Sequence, residues 1–283
     1  MSEQKQSSET ALGTAFIRAL SCFEPDPEIK GCDDLAVLFM PETVKKKLQS
    51  ERYREAARSK IGSTYEYIIA RTKYFDGVFQ DALSTNIGQI VILGAGYDSR
   101  AYRFRSEMNE TVVFEVDAPY TQAAKIEKLE MNGIPHENVR FVAVDFEKDD
   151  LETQLCANGY QNTKTLFIWE GVSLYLTPES VDSTLDHLGS LCCSGSLLCF
   201  DYFNSRIDSR KIRKKDEMIL FGLSSTEMNE YLGSKGFSVL REIEPDELQR
   251  CFLTCSDGSL FGGLNKKTNL IKSVYEPASA KQL

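Results

Sequence analysis

After residue 88 the sequence alternates short apolar runs with longer helix-like stretches, and this alternation is its strongest constraint on a fold. Gly88–Gly94 reads GQIVILG, and comparable runs follow: TVVFEVD (111–117), VRFVAVDF (139–146), TLFIWEG (165–171) and SLLCFDYF (196–203). Runs this short and rich in β-branched residues suit strands buried on both faces. Between them lie SRAYRFRSE, APYTQAAKIEKLEMNG, DDLETQLCANG and a segment opened by Thr177-Pro178. There Thr serves as N-cap and Pro takes the first helical position. Alternating strands and helices need crossover connections, so a doubly wound α/β domain with a parallel sheet is expected. Further on, Ser224-x-x-Glu227 reads as a capping box that opens a helix to about Gly233. GFSVLREI follows as a sixth strand, PDELQRCF as a Pro-started helix, and an extended stretch near SLFGGLNKK completes the core. The tail SVYEPASAKQL reads as loose.

Ahead of the alternation, residues 11–85 carry no strand signal. LGTAFIRALSCF, PETVKKKLQSERYREAARSK and STYEYIIARTKYFDGVFQDALS are helix-like in pattern and composition. The expected division is a polar, disordered segment at 1–10, a helical extension at 11–85 and the sheet domain at 86–283. A chain of 283 residues has room for one large or two small domains. With 33 basic and 42 acidic residues the net charge is −9, which disfavours a nucleic-acid partner. No run reaches the ~18 apolar residues of a membrane span, and MSEQKQSSET resembles neither a secretory nor an Arg-rich targeting segment, so a cytoplasmic protein is expected. The eight cysteines form no C-x-x-C pair and read as reduced thiols. Only two histidines, His136 and His187, are present, which argues against a multi-His metal site and leaves few candidates for a His base.

The chemistry concentrates at the ends of the apolar runs. In IVILGAGYDSRAYRFR (90–105), Gly94 and Gly96 let the backbone turn tightly and approach a ligand. The third glycine of the dinucleotide fingerprint is missing, because Asp98 and Ser99 follow instead, which argues against a nicotinamide dehydrogenase. The second run ends in Glu115-Val116-Asp117, about where an acid grips ribose hydroxyls. The third ends in Asp145-Phe146, suited to an adenine amino group and ring, and the fourth in Glu170-Gly171. Acids along one sheet edge would repel pyrophosphate but suit a positively charged nucleoside, and S-adenosylmethionine matches that charge. Arg100 and Arg103 share a helix face, where salt bridges are expected ahead of substrate-anion binding. The basic run Arg206–Lys215 and Lys45–Lys47 read as solvated, and His187 as structural. Tyr202, at the end of the fifth run, is a candidate for lining the substrate pocket.

The segments LGAGYDSRAYRF, VFEVDAP, VAVDFE and WEGVSLYLTPE together resemble the leucine carboxyl methyltransferase family, over about residues 10–205. The resemblance implies a class I methyltransferase (Rossmann-like) fold. Its seven-stranded sheet is mostly parallel, its last strand antiparallel, and a helical N-terminal extension covers the active site. It implies that Arg71 in ARTKYFD pairs with the methionine carboxylate of the cofactor. Gly94 and Gly96 form the cofactor loop, Asp117 holds the ribose, and Asp145 and Phe146 hold the adenine. Glu170 lies near the methionine amino group or sulfonium. The activity expected is S-adenosylmethionine-dependent O-methylation of a carboxylate or acidic hydroxyl on an undefined, small acceptor. A carboxylate is already ionised at neutral pH, so no catalytic base is nominated, and no metal is expected. Two alternatives stand beside it: methylation of a protein C-terminal leucine carboxylate, and a non-catalytic binding protein on the same fold. Tyr97, Ser99 and the shorter chain depart from the branch that methylates protein phosphatase 2A, which favours the small acceptor. Neither a nucleic acid nor a membrane is an expected partner.

Overall fold

Each apolar run becomes a strand, and the helices between them become the crossovers. The computed structural model describes residues 3–85, 87–146, 148–205, 219–265 and 267–277. The strands are β1 (Gln89–Leu93), β2 (Val112–Asp117), β3 (Val139–Ala143), β4 (Thr165–Trp169), β5 (Leu197–Phe203), β6 (Phe237–Ile243) and β7 (Thr268–Tyr275). They form one seven-stranded sheet in the order β3-β2-β1-β4-β5-β7-β6. β1 pairs in parallel with β2 and β4, β2 with β3, and β4 with β5; β7 runs antiparallel to both β5 and β6. The chain order therefore reverses at β1, between β2 and β4, and the loops after these strands open on the same crevice.

The last strand corrects one expectation. SLFGGLNKK does not supply it: β7 is TNLIKSVY, and it takes in Ser273–Tyr275 from the tail read as loose. Asn269, Lys272 and Ser273 break its apolar pattern, yet the strand is central. Two of its buried donors find acceptors: Asn269 Nδ2 donates to Glu242 Oε1 at 2.7 Å and Ser273 Oγ to Leu198 O at 3.2 Å.

Eleven α-helices are seen among the described residues: α1 (Glu3–Ser21), α2 (Leu35–Phe39), α3 (Glu42–Leu48), α4 (Glu51–Ile61), α5 (Ser63–Ser84), α6 (Arg100–Arg103), α7 (Pro119–Met131), α8 (Leu151–Ala157), α9 (Pro178–Leu191), α10 (Ser225–Ser234) and α11 (Pro245–Phe252). α1 begins inside the decapeptide expected to be disordered. The local start signals hold: Thr177 Oγ1 accepts from Ser180 N at 3.2 Å, and Ser224 and Glu227 form a reciprocal capping box. The basic run at 206–215 lies outside the described residues. No helix among the described residues is long and apolar enough to cross a membrane.

Side chains alternate across each strand, so the sheet has two distinct faces. On one, Ile90, Ile92, Val113, Leu166, Ile168 and Cys199 pack under α1, α5 and their neighbours. On the other, Val91, Leu93, Phe114, Val116, Phe167, Trp169, Phe200 and Tyr202 pack against α8, α9 and α10.

Candidate cofactor site

The turn after β1 is held from below and above. Gly94 and Gly96 have φ of +65° and +46°, a region costly for other residues. A Cβ on Gly94 would run into Val172, and one on Gly96 would lie 3.2 Å from the Cβ of Ala11 on α1. α1 therefore roofs the glycine turn. Arg18 on α1 ties the roof down: its Nη2 donates to Tyr97 O at 2.6 Å, and its Nε pairs with Asp33 Oδ2 at 2.8 Å.

Asp117 closes β2 beside this turn. Its Oδ2 accepts from Gly96 N, and its Oδ1 accepts from Ala118 N at 2.6 Å. Burial pushes its carboxyl above the usual aspartate range, against the pull of those two N–H groups. Asp117 makes no ion pair among the described residues, whereas the neighbouring buried acids all do.

Those pairs form an alternating chain of charge. Arg71, projecting from α5, places Nε 2.9 Å from Glu170 Oε1 and Nη1 3.0 Å from Asp201 Oδ2. Glu170 also takes Arg100 Nη1 at 2.8 Å. Arg100 continues to Asp98 and, at 2.8 Å, to Asp76; Arg103 joins Asp76 at 2.7 Å and Asp33 at 3.5 Å. The salt-bridge expectation for Arg100 and Arg103 is thus what the structure has. Burial opposes the charge on Arg71, but Asp201 and Glu170 outweigh it and raise its pKa. Likewise burial opposes ionisation of Asp98, and Arg100 overcomes it to lower the carboxyl's pKa.

Gly94, Gly96, Asp117, Glu170 and Arg71 come together at one margin of the sheet, beneath α1 and α5. Asp145 and Phe146 follow β3, one strand further out; Ala143 is paired in register with Asp117, and Val144 N donates to Asp117 O at 2.9 Å. Asp145 is half-buried and pairs with Lys148 Nζ at 2.5 Å. Tyr202 does not join the group. It is fully buried on the opposite face of the sheet, and its hydroxyl donates to Glu242. Strand parity is the reason: the side chain on the Arg71 side is that of the preceding residue.

That residue, Asp201, is the one sequence reasoning missed. It is wholly buried, and besides Arg71 it accepts from Tyr67 Oη at 2.8 Å and Gly171 N at 2.5 Å. The signal was available, since a lone acid inside the apolar run LLCFDYF has to find buried partners.

A profile of the leucine carboxyl methyltransferase family matches residues 11–189. A candidate S-adenosyl-L-methionine-dependent methyltransferase of Mycolicibacterium smegmatis (strain ATCC 700084 / mc(2)155) is similar at 33% identity over 220 residues, covering 72% of each chain. Another of the same description, YktD of Bacillus subtilis (strain 168), is 31% identical over 215 residues, 71% of this chain and 67% of its own. Among solved structures, magnesium protoporphyrin IX methyltransferase from Synechocystis PCC 6803 aligns at 12% identity with a TM-score of 0.48, covering 75% of this chain and 83% of that one.

Proposed function

This chain belongs to the leucine carboxyl methyltransferase family of S-adenosylmethionine-dependent enzymes, and on that premise we propose that it methylates oxygen, on a carboxylate or acidic hydroxyl of a small acceptor. The observation that carries the reading is Asp117. A buried carboxylate that accepts from two main-chain N–H groups and makes no ion pair among the described residues keeps lone pairs free, and the vicinal hydroxyls of a ribose can donate to them without adding charge. The residues around it fit the rest of the cofactor. Arg71 engages Glu170 and Asp201 with part of a five-donor guanidinium, which leaves donors for the methionine carboxylate. Glu170 faces the position of the ammonium group. Asp145 and Phe146 stand one strand beyond Asp117, where an adenine linked to that ribose would lie.

Bound S-adenosylmethionine supplies a methyl group on a positively charged sulfur. This chain's contribution is alignment and exclusion of water. Arg71, Glu170 and Asp117 fix the donor at both ends, so that an acceptor oxygen can approach in line at about 3–3.5 Å. α1 covers the glycine turn and keeps solvent from that side. The choice of oxygen follows from the neighbouring groups. Both histidines lie elsewhere: His136 meets Phe141 edge to face with ring centroids 5.7 Å apart, and His187 stands 3.4 Å from Asp150. Tyr67, the phenol beside Arg71, is held protonated by burial and then by Asp201. An acceptor already ionised at neutral pH suits a site furnished in this way.

Calorimetry with S-adenosylmethionine and S-adenosylhomocysteine tests the cofactor reading; transfer of a labelled methyl group to a panel of acids and phenols tests the acceptor. A methyl ester releases its label as volatile methanol in alkali, whereas an aryl ether retains it. Label fixed on nitrogen or sulfur would overturn the proposal, and transfer only to a peptide carboxyl terminus would replace the small acceptor by a protein.

A further inference from the structure

We propose that Asp201 is a positioning residue for cofactor binding, holding Arg71 and the turn at Gly171 in the geometry that receives the methionine end of the cofactor. The inference rests on the reading of Arg71 given above. Asp201 sits on β5, and its carboxylate joins three separate pieces of the chain. Oδ2 takes Arg71 Nη1 at 3.0 Å and Tyr67 Oη at 2.8 Å, both from α5; Oδ1 takes the main-chain N–H of Gly171 at 2.5 Å, from the loop after β4. Tyr67 and Arg71 are four residues apart on one face of α5, so Asp201 grips the helix at two successive turns.

The loop it holds is crowded by the same arginine. Gly171 has φ of +70°, and a Cβ there would lie 2.8 Å from Arg71 Nη1. Glycine is required both for the turn and for the guanidinium to lie against it. Glu170, one residue earlier, takes Nε of Arg71 and Nη1 of Arg100. Without Asp201, Glu170 would have to hold Arg71 and share itself with Arg100, and the Gly171 N–H would lose its acceptor. Asp201 is completely shielded from solvent, so it acts on the ligand only through these neighbours.

The test compares two ligands that share an adenosine but differ at the amino-acid end: S-adenosylhomocysteine and 5′-methylthioadenosine. In Asp201→Asn the dissociation constant for S-adenosylhomocysteine should rise about 10–100-fold, as for loss of a hydrogen bond to a charged group. That for methylthioadenosine should stay within about twofold, because that ligand has no carboxylate for Arg71 to hold. Equal weakening of both ligands, or no weakening of either, would overturn the proposal. If Asp201→Asn does not fold, Tyr67→Phe removes one of its donors without adding bulk. A few-fold loss confined to S-adenosylhomocysteine supports the proposal, and a loss shared by both ligands, or none, rejects it. Failure of the wild-type protein to bind S-adenosylhomocysteine would instead strike the parent reading before any variant is made.

Discussion

The two faces of the sheet solve the problem of burial in opposite ways. The face under α8, α9 and α10 is a dry apolar layer, with Trp169 and Phe200 packed at 6.0 Å between ring centroids. The face under α1 and α5 buries charge: Arg71, Arg100, Asp98, Glu115, Lys125 and Asp201 all lie there. Both faces come from the same strands, read at alternate residues. Glu115 and Asp117 on β2 point one way, and Phe114 and Val116 point the other. An apolar layer makes few demands on geometry beyond volume, whereas a buried lattice of charge fixes directions and repays only complete pairing. Of the residues proposed to hold the cofactor, Arg71, Asp117 and Glu170 sit on the face that fixes directions, whereas Phe146 packs against the apolar one.

The largest effects should separate these faces. Lys125 Nζ stands 2.7 Å from Glu115 Oε2, and both side chains are only 1% exposed. Lys125→Met should cost about 3–5 kcal/mol, since it strands a buried carboxylate, while Glu115→Leu combined with Lys125→Met should recover most of that loss. Burial already raises the carboxyl of Glu115, opposed mainly by Lys125. Removing the lysine raises it further, so the folded state holds a proton the unfolded state releases, and the variant should weaken as pH rises from the ordinary glutamate range. Phe200→Ala on the dry face should also cost about 3–5 kcal/mol, by leaving a cavity, with no such pH dependence. Denaturant melts of both variants from about pH 5 to about pH 8 decide the matter. Parallel pH profiles would break the comparison.

Next in size is the cofactor effect. Asp117→Ala should weaken S-adenosylhomocysteine binding by about 1.5–3 kcal/mol in calorimetry. Unchanged affinity would remove the ribose assignment. The raised carboxyl adds a pH signature. An acid whose folded pKa exceeds its unfolded value withdraws stability as pH climbs from its ordinary range through the raised value. The wild-type protein without ligand should therefore lose stability relative to Asp117→Ala across that window. Ribose hydroxyls donate to the ionised form, so wild-type affinity should rise across the same window.

Local signals were legible in the sequence, and long-range pairing was not. The TLFIW run, the Thr177-Pro178 start and the whole of α5 follow from a few adjacent residues. β7 does not, because its place between β5 and β6 is set by ladders to distant strands while Asn269, Lys272 and Ser273 blur its pattern. Asp117, Glu170 and the glycines were visible because each ends a strand. Asp201 stood out as an acid in an apolar run, but its partners were hidden, because Tyr67 and Arg71 lie on a helix more than a hundred residues away. Counting parity along β5 would have turned attention from Tyr202 to Asp201.

The smallest effect tests whether the dry face has polar demands of its own. Ser224 caps α10, accepting from the Glu227 N–H at 3.4 Å, and Glu227 Oε2 accepts from the Ser224 N–H at 3.0 Å. Ser224→Ala should cost about 1 kcal/mol, the usual scale for a lost cap. The change lies behind the sheet from Arg71 and Asp117, so the affinity for S-adenosylhomocysteine should not move. Melts and titrations on the same variant give both numbers. A stability loss accompanied by weaker ligand binding would show that the two faces are coupled through the strands, and that the apolar layer helps to aim the charged one.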